Sequence, residues 1–313
     1  MGRGHDSPMI RTLARILLCV SIAALVGCAV PGRIAEPGSG QDSGQGFGAN
    51  RDTISGSTSP PQGMSRGDWL SRVAACHLLR VGQNLDVAVT DSAVIAAADK
   101  YGFRVDAIIE RSNQLVVEYG ARGPALLAFA TESCRQVSEA TGMTSTLVRF
   151  EPDGTLRTQW LRIDGIEIAD GFAEKTIGEL RRARAVGLVI NSPGGSVFEA
   201  RRLGRYLRTM GLRTAVDQSC TSACIDVLAG GAERYVTPAA KLGIHQSKVP
   251  RRFSSHEGGQ LYVADAFLYL REMGIDPDVA IAAASVPNNK ILLISLTDAL
   301  QTGLVTDVIE RVE

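Results

Sequence analysis

A run of five apolar or small residues at positions 186–190 constrains the fold of this chain more than any other feature. The run ends in an Asn-Ser-Pro-Gly-Gly turn at residues 191–195, and a helical pattern follows over 196–210. Such a run is typical of a strand buried on both faces, as in a parallel sheet whose crossover connections are helices. Because strand and helix signals alternate throughout residues 145–313, we predict an α/β domain there.

The remaining elements of this domain follow from apolar periodicity and turn residues. Strands are predicted over residues 156–163, 214–216, 234–237 and 242–245, and helices over 169–184, 222–229, 259–273 and 278–284. The helices carry many arginines, which we interpret as solvated faces rather than a ligand site: Arg181, Arg182, Arg184, Arg201, Arg202, Arg205 and Arg208.

Three features of this domain have the residue types that catalysis needs, but each also has a purely structural explanation. The turn at residues 192–195 exposes backbone N–H groups that could bind an oxyanion, although a tight turn needs the same glycines. Ser222 begins a predicted helix, where it is either a cap or a nucleophile. His245 ends a short strand, where a structural role is the commoner one. All three follow strands, which is where open α/β sheets place their sites.

The stretches VINSPGGSV, CTSAC followed by AGG, and GIHQ occur in that order. Together they resemble the proteolytic subunit of Clp protease and the wider ClpP/crotonase superfamily, over about residues 155–310. The resemblance implies a ClpP/crotonase-type spiral of ββα units and a serine peptidase activity. It also implies that Ser222 is the nucleophile, that His245 is the general base, and that the N–H groups of Gly195 and Ala223 form the oxyanion hole.

The third member of the catalytic set departs from the family pattern. ClpP has an aspartate in the C-terminal segment, whereas this chain has the sequence Pro-Asn-Asn-Lys at residues 287–290. Alignment by resemblance places Asn289 at that position, with Asn288 close behind. An asparagine can orient a histidine tautomer, but it does not stabilise imidazolium as a carboxylate does. Asp226 and Asp265 are the alternatives elsewhere in the domain.

Four of the six cysteines divide between the two parts of the chain that we expect to fold. Cys76 and Cys134 lie near the two ends of a helical segment, and Cys220 and Cys224 flank Ser222. Residues four apart in a helix have Cα atoms about 6 Å apart, which is within disulfide range. Of the three connectivities we favour Cys76–Cys134 with Cys220–Cys224; buried free thiols are the alternative.

The N-terminus has the pattern of a secretion signal. Arginines precede an apolar run at residues 16–27, which is too short for a stable membrane span and typical of a signal peptide. The run ends in Leu-Val-Gly-Cys, which resembles a bacterial lipoprotein box with Cys28 as the lipidated residue. We therefore expect a lipoprotein signal peptide over residues 1–28 and a lipid-anchored protein of the bacterial cell envelope. The favoured location is the outer membrane, with the protein facing the periplasm. An ordinary signal peptide is the alternative.

Two further segments lie between the signal and the α/β domain. About half of residues 29–67 are Gly, Ser or Pro, a composition typical of a disordered tether. Residues 68–144 have helical periodicity and indicate a small all-helical subdomain without catalytic chemistry.

The balanced charge of the chain excludes one class of function. The chain has 33 basic and 33 acidic residues, so a strongly basic nucleic-acid binder is excluded. His256 has no metal-ligating partner at a useful spacing, and we predict no metal and no cofactor.

We expect a peptide or protein substrate. No ATPase partner is expected outside the cytoplasm. The sequence is compatible with a homo-oligomer. The helix after His245 is shorter than the helix through which ClpP rings pair, so we do not expect a double ring.

Three rival interpretations remain. A Ser–Lys protease of the same superfamily would use Lys241 or Lys248, whereas the GIHQ segment favours histidine. A crotonase-type acyl-CoA enzyme would need acidic catalytic residues and a substrate that the envelope does not supply. A catalytically inactive binding scaffold is the third, and the missing aspartate favours it. The sequence most favours an envelope serine hydrolase acting as an ATP-independent peptidase.

Overall fold

The computed structural model describes residues 59–61, 63–248 and 255–312. The first part of the chain is mainly helical. Its elements are α1 (Arg66–Asn84), β1 (Val89–Asp91), α2 (Ser92–Tyr101), α3 (Val105–Tyr119) and α4 (Gly123–Thr141). In the part of the chain described, no helix is long and apolar enough to cross a membrane.

The helix α1 is the centre of this segment and packs against α3 and α4. Ser65 caps its first turn by accepting a hydrogen bond from the Asp68 N–H at 3.1 Å. Trp69, only 1% exposed, fills the core of the bundle together with aliphatic residues. Cys76 and Cys134 are bonded between α1 and α4, with their Cα atoms 4.6 Å apart, so this pair lies at the distance that the sequence interpretation required.

The structure differs from the sequence prediction in two respects here. The helix α1 begins at Arg66, two residues inside the predicted tether, because Ser65 supplies its N-cap. The segment is also not all-helical, because it contains β1, which pairs antiparallel with β2 of the following part. A three-residue strand between two helices has too few residues to show an alternating pattern.

The second part of the chain alternates strands and helices. Its elements are β2 (Leu147–Phe150), β3 (Leu156–Arg157), β4 (Trp160–Asp164), α5 (Phe172–Ala183), β5 (Gly187–Asn191), α6 (Val197–Met210), β6 (Arg213–Val216), β7 (Ser219–Thr221), α7 (Cys224–Ala229), β8 (Arg234–Val236), β9 (Lys241–Ile244), α8 (His256–Glu272), α9 (Asp278–Ser285), β10 (Leu292–Ile294), α10 (Leu296–Gln301) and β11 (Asp307–Val308).

The main sheet has five parallel strands in the order β11-β8-β6-β5-β4. All five residues of β5 are buried, as expected for a central parallel strand. The helix α7 packs against β5 and β6, while α6 packs against both α5 and α7. The predicted mixed α/β class is therefore confirmed.

A second sheet, in the order β10-β9-β7, carries the strands that lead to the site. The strand β7 runs parallel to β9, and β10 runs antiparallel to β9. A single bridge between Ser192 and Cys220 joins the end of β5 to β7. The turn after β5, the turn after β7 and the end of β9 therefore lie side by side.

Arg80 of α1 connects the helical part to the α/β part. Its guanidinium is buried and donates to the Asp91 carboxylate at 2.7 Å, to the Ser145 carbonyl at 3.2 Å and to the Thr209 carbonyl at 3.3 Å. The guanidinium also packs on Gly211, where an added Cβ would lie 2.6 Å from the Arg80 Cζ atom. One side chain thus holds three different segments of the chain.

Candidate active site

Ser222 lies in a sharp turn between β7 and α7. Its φ of 57° is in the left-handed region, and such a conformation costs a non-glycine residue roughly 1–3 kcal/mol unless its surroundings hold it. The Ser222 N–H donates to the Gly243 carbonyl at 2.9 Å, and its carbonyl accepts from the Ile225 N–H at 3.0 Å. The helix begins only at Cys224, so Ser222 precedes it rather than forming its first turn.

The disulfide between Cys220 and Cys224 spans this turn. The two Cα atoms are 5.3 Å apart, and both residues are fully buried. The cross-link closes a short ring around Ser222, which restricts the other conformations open to the turn. The sequence prediction that these two cysteines lie at disulfide distance is confirmed.

The Pro-Gly-Gly turn after β5 packs directly on the Ser222 turn. Gly194 has a φ of 99°, and an added Cβ would lie 2.7 Å from both the Ser222 Cβ and the Thr221 carbonyl oxygen. Gly195 has a φ of 140°, and its added Cβ would lie 2.4 Å from the Ile168 carbonyl oxygen. Both positions therefore require glycine, for conformation and for space.

Two N–H groups beside Ser222 have no hydrogen-bond acceptor. The Gly194 N–H donates to Ser192 Oγ at 3.1 Å, whereas among the described residues the N–H groups of Gly195 and Ala223 make no hydrogen bond. Gly195 and Ala223 line the same cavity as Ser222. Free N–H groups on either side of a serine can stabilise the negative charge of a tetrahedral intermediate.

His245 follows β9 and is half-buried at the edge of the same cavity. Its Nδ1 lies 3.0 Å from the main-chain carbonyl oxygen of Asn288. Because a carbonyl oxygen only accepts hydrogen bonds, Nδ1 carries a proton, and in the neutral ring Nε2 therefore has the free lone pair. This is the tautomer that a general base needs.

The predicted partner of His245 was the Asn289 side chain, and the structure places a different group there. Asn289 is exposed, and within the described ranges it makes no hydrogen bond to the imidazole. The turn at residues 287–290 is closed by a 2.9 Å bond from the Lys290 N–H to the Pro287 carbonyl. That turn directs the main chain of Asn288 at the ring, so the orienting group is a carbonyl and no asparagine amide is needed.

Ser222 and His245 face one cavity of about 540 Å³, together with Gly195 and Ala223. In the described part of the chain, no hydrogen bond joins the Ser222 hydroxyl to the His245 ring. Such bonds are often long without substrate and shorten in the reacting complex. The structure thus collects four of the five residues assigned to catalysis from sequence.

Neither of the alternative carboxylates contacts His245. Asp226 accepts a 2.9 Å hydrogen bond from Arg201 Nε, and Asp265 accepts one from Arg201 Nη1. Burial raises the pKa of the Asp226 carboxyl, and the charge and hydrogen bond of Arg201 oppose that rise without cancelling it. Both aspartates therefore belong to a charge cluster around Arg201 and do not replace the missing catalytic acid.

Arg201 itself corrects the prediction that the Arg-rich helices present only solvated faces. It is 4% exposed and lines the cavity with its guanidinium packed over the rings of Tyr262 and Tyr269. The signal that could have revealed it is helical spacing. Arg201 lies at i+4 from Val197 and at i−3 from Gly204, which share the inward face of α6.

The lysines considered for a Ser–Lys mechanism lie in different places. Lys241 is exposed at the start of β9, away from the residues that line the cavity. Lys248 is exposed and lies at the cavity edge, three residues after His245.

A polar network below the site holds the Pro-Gly-Gly turn against β7. Asn191 Nδ2 donates to Asp164 Oδ1 and to Asp217 Oδ1, each at 2.7 Å. Asn191 Oδ1 accepts from the Gln218 N–H at 2.9 Å. The hydrogen bond from Arg162 lowers the pKa of Asp217, so this carboxylate stays charged. Asn191 therefore fixes the end of β5 relative to the strand that leads to Ser222.

One group of potential metal ligands occurs among the described residues, and it lies far from the serine in sequence. It consists of Cys76, Asp91 and Cys134. The two cysteines form a disulfide, and Asp91 is paired with Arg80 at 2.7 Å, so these atoms are already committed to other bonds. The predicted signal peptide at residues 1–28, with the predicted lipidation site Cys28, and most of the predicted tether lie outside the described residues.

Comparisons with known proteins give similarity to solved structures alone. No family model matches the chain, and no curated protein matches it. Among solved structures, the chain is similar to a single-residue mutant of ClpP1 from Listeria monocytogenes. The two share 20% sequence identity over 49% of this chain and 91% of the other, with a TM-score of 0.39.

Proposed function

We propose that this chain is a serine hydrolase of the ClpP/crotonase superfamily, with the superfamily's spiral of ββα units, and that it cleaves peptides without ATP. One observation carries the proposal. A serine in left-handed conformation shares a cavity with a histidine of the correct tautomer and with two free N–H groups. A serine that only capped the helix would need neither the histidine nor the two free N–H groups.

Acylation follows from the geometry. Ser222 Oγ attacks the peptide carbonyl carbon while its proton passes to His245 Nε2. The carbonyl oxygen becomes an oxyanion that accepts hydrogen bonds from the N–H groups of Gly195 and Ala223. The intermediate then collapses: the C–N bond breaks, the imidazolium protonates the leaving amine, and an acyl-serine remains.

Hydrolysis of the acyl-serine reverses these roles. Water attacks the ester carbonyl and gives a proton to His245, and the same two N–H groups hold the second oxyanion. Collapse releases the carboxylic acid product and returns the proton to Ser222 Oγ. No cofactor or metal enters either half of the reaction.

The Asn288 carbonyl is expected to limit the rate of acylation at this site. It holds the tautomer that places the free lone pair on Nε2, which is the orienting part of the role of the usual aspartate. It has no full negative charge, so the imidazolium is stabilised less. We therefore expect a slow peptidase for short peptides and unfolded chains rather than a rapid one.

Fluorophosphonate labelling of the purified full-length protein tests the proposal. We expect one covalent adduct, mapped by mass spectrometry to Ser222, together with turnover of fluorogenic peptides. Ser222→Ala should lose both, whereas Ser219→Ala, an exposed serine on β7, should keep both. A wild-type protein that neither labels nor cleaves peptides would instead support the inactive scaffold, which the absence of a carboxylate at His245 favours.

We also propose that the protein is a lipoprotein held at the envelope through Cys28. The support is the sequence alone: a basic start, a short apolar run and the Leu-Val-Gly-Cys box. Metabolic labelling with an alkyne fatty acid should modify the wild type and leave Cys28→Ala unmodified. Lipid label on the alanine variant would contradict the anchor without affecting the proposed chemistry.

A further inference from the structure

The wall of the Ser222 cavity contains a buried ion pair that the proposed mechanism does not use. Arg201 lies on α6 and is only 4% exposed. Its Nε donates to Asp226 Oδ1 at 2.9 Å, and Asp226 lies on α7, four residues after the nucleophile. Both side chains line the cavity that Ser222 and His245 face. A charged pair at this depth requires hydrogen-bond partners for each of its polar atoms.

Two atoms of this pair have no hydrogen-bond partner among the residues that the structure describes. Within the described ranges, no hydrogen bond is made by Arg201 Nη2 or by Asp226 Oδ2. The Arg201 and Asp226 side chains are 5% and 15% exposed, and both residues line the cavity. Asp265, which accepts from the third guanidinium nitrogen, is 63% exposed and is not one of the residues that line this cavity. The inner wall therefore offers one donor and one acceptor side by side.

The rest of the cavity lining contains four polar residues, which are Gln246, Ser247, Lys248 and Tyr262, and an apolar part. The apolar part is formed by side chains of α7, α8 and α9: Ile225, Ala266, Leu270, Val279, Ala280 and Ala283. Ser222, this apolar part and the ion pair line one cavity, so a substrate side chain that enters beside Ser222 can pack its stem on the apolar part while its tip reaches the ion pair. The cavity of about 540 Å³ has room for a long side chain together with water.

The ion pair discriminates between the groups that such a tip could carry. A carboxylate binds Arg201 but lies against the Asp226 charge, and an ammonium group binds Asp226 but lies against the guanidinium. An aliphatic tip leaves both open atoms without a hydrogen bond. A carboxamide gives its carbonyl to Arg201 Nη2 and its NH₂ to Asp226 Oδ2, and it adds no charge.

We propose that this cavity binds the side chain on the acyl side of the scissile bond, and that it selects a carboxamide, which is glutamine or asparagine. The proposal rests on the proposed peptidase function for its catalytic meaning, while its binding preference stands independently. Arg201 and Asp226 are specificity residues that touch the substrate side chain and take no part in bond making.

A substrate series that varies only the acyl-side residue tests the proposal on the full-length protein. We expect kcat/KM for glutamine or asparagine to exceed that for glutamate, lysine, leucine and methionine by at least about tenfold. A profile led by leucine, methionine, lysine or glutamate would overturn the proposal. This result needs no variant, so misfolding of a mutant cannot obscure it.

Three variants locate the preference. Asp226→Asn removes the negative charge on the cavity side of Arg201, leaves the exposed Asp265 as its partner, and should move the preference towards glutamate. Arg201→Met should abolish the advantage of the carboxamides. The matched control is Arg205→Met, one turn further along α6, where the arginine is 48% exposed and pairs with Glu272; it should keep the wild-type profile. An unchanged order in both pocket variants, with native circular dichroism, would contradict the assignment.

Binding to Ser222→Ala separates this proposal from the peptidase proposal. Peptides that end in glutamine, glutamate, lysine or leucine are titrated calorimetrically into this variant. At least about tenfold tighter binding of the glutamine peptide supports the pocket even if the wild type cleaves nothing. Equal or weaker binding of that peptide contradicts the pocket even if Ser222 labels with fluorophosphonate.

Discussion

Replacing Gly195 with alanine is expected to slow acylation of Ser222 by about 100- to 1,000-fold, the usual cost of losing one oxyanion-hole donor. The residue has a φ of 140°, and an alanine Cβ would lie 2.4 Å from the Ile168 carbonyl oxygen. That oxygen accepts the Ser196 N–H at 2.7 Å, so it cannot withdraw without breaking the start of α6. The turn must shift instead, and its free N–H shifts with it.

The measurement is the second-order rate of fluorophosphonate labelling, with the free energy of unfolding measured in parallel. Gly178→Ala is the matched control, because this glycine is in the middle of α5 and an added Cβ meets nothing within 4 Å. We expect that control to label normally and to be more stable by about 1 kcal/mol. Normal labelling of Gly195→Ala would remove this N–H from the mechanism.

Removal of the Cys220–Cys224 disulfide is expected mainly to slow labelling of Ser222, whereas removal of the Cys76–Cys134 disulfide is expected mainly to lower the free energy of unfolding. Cys220→Ala/Cys224→Ala should slow labelling by about tenfold or more, because the left-handed Ser222 conformation stores roughly 1–3 kcal/mol that the ring helps to hold. Its short loop should contribute only about 2 kcal/mol to the free energy of unfolding.

The Cys76→Ala/Cys134→Ala variant is the internal control for that prediction. This pair closes a loop with a sequence separation of 58, so its loss should cost about 4 kcal/mol of stability. Labelling should remain unchanged at temperatures where the variant is folded. Urea unfolding and labelling rates are compared for both double variants. If labelling falls in proportion to lost stability in both, the effect is partial unfolding and the Ser222 turn does not depend on its disulfide.

Local patterns were sufficient to predict the parts of the site that depend on neighbouring residues. The apolar run before Asn191 predicted β5, and the two glycines predicted a turn, because both follow from backbone conformation and burial. The spacing of Cys220 and Cys224 predicted a pair at bonding distance on the assumption that both lie in a helix; the structure has Cys220 on β7, and the sharp turn at Ser222 brings the two Cα atoms to 5.3 Å. The predicted strand at residues 156–163 appears as two, β3 and β4, because a change of direction leaves little trace in periodicity.

Contacts between distant segments could not be predicted in the same way. The partner of His245 is a main-chain carbonyl, which every residue possesses, so no side-chain type marks it. The sequence predicts a solvated Arg201 because a single arginine gives no sign of the carboxylates that α7 and α8 bring to it. The short strand β7, which carries the chain to Ser222, is defined only by its pairing with β9.

Arg80 has a consequence for how the chain melts. Its guanidinium joins Asp91 in the helical part to the Thr209 carbonyl at the end of α6, and β1 pairs with β2 across the same junction. Separating the two parts would take the Thr209 and Ser145 carbonyl acceptors from Arg80 and the Ser145 hydroxyl from the buried Asp91 carboxylate, and it would open the edge of β2. The change from helices to alternating strands near residue 144 is therefore a change of secondary structure within one cooperative folding unit.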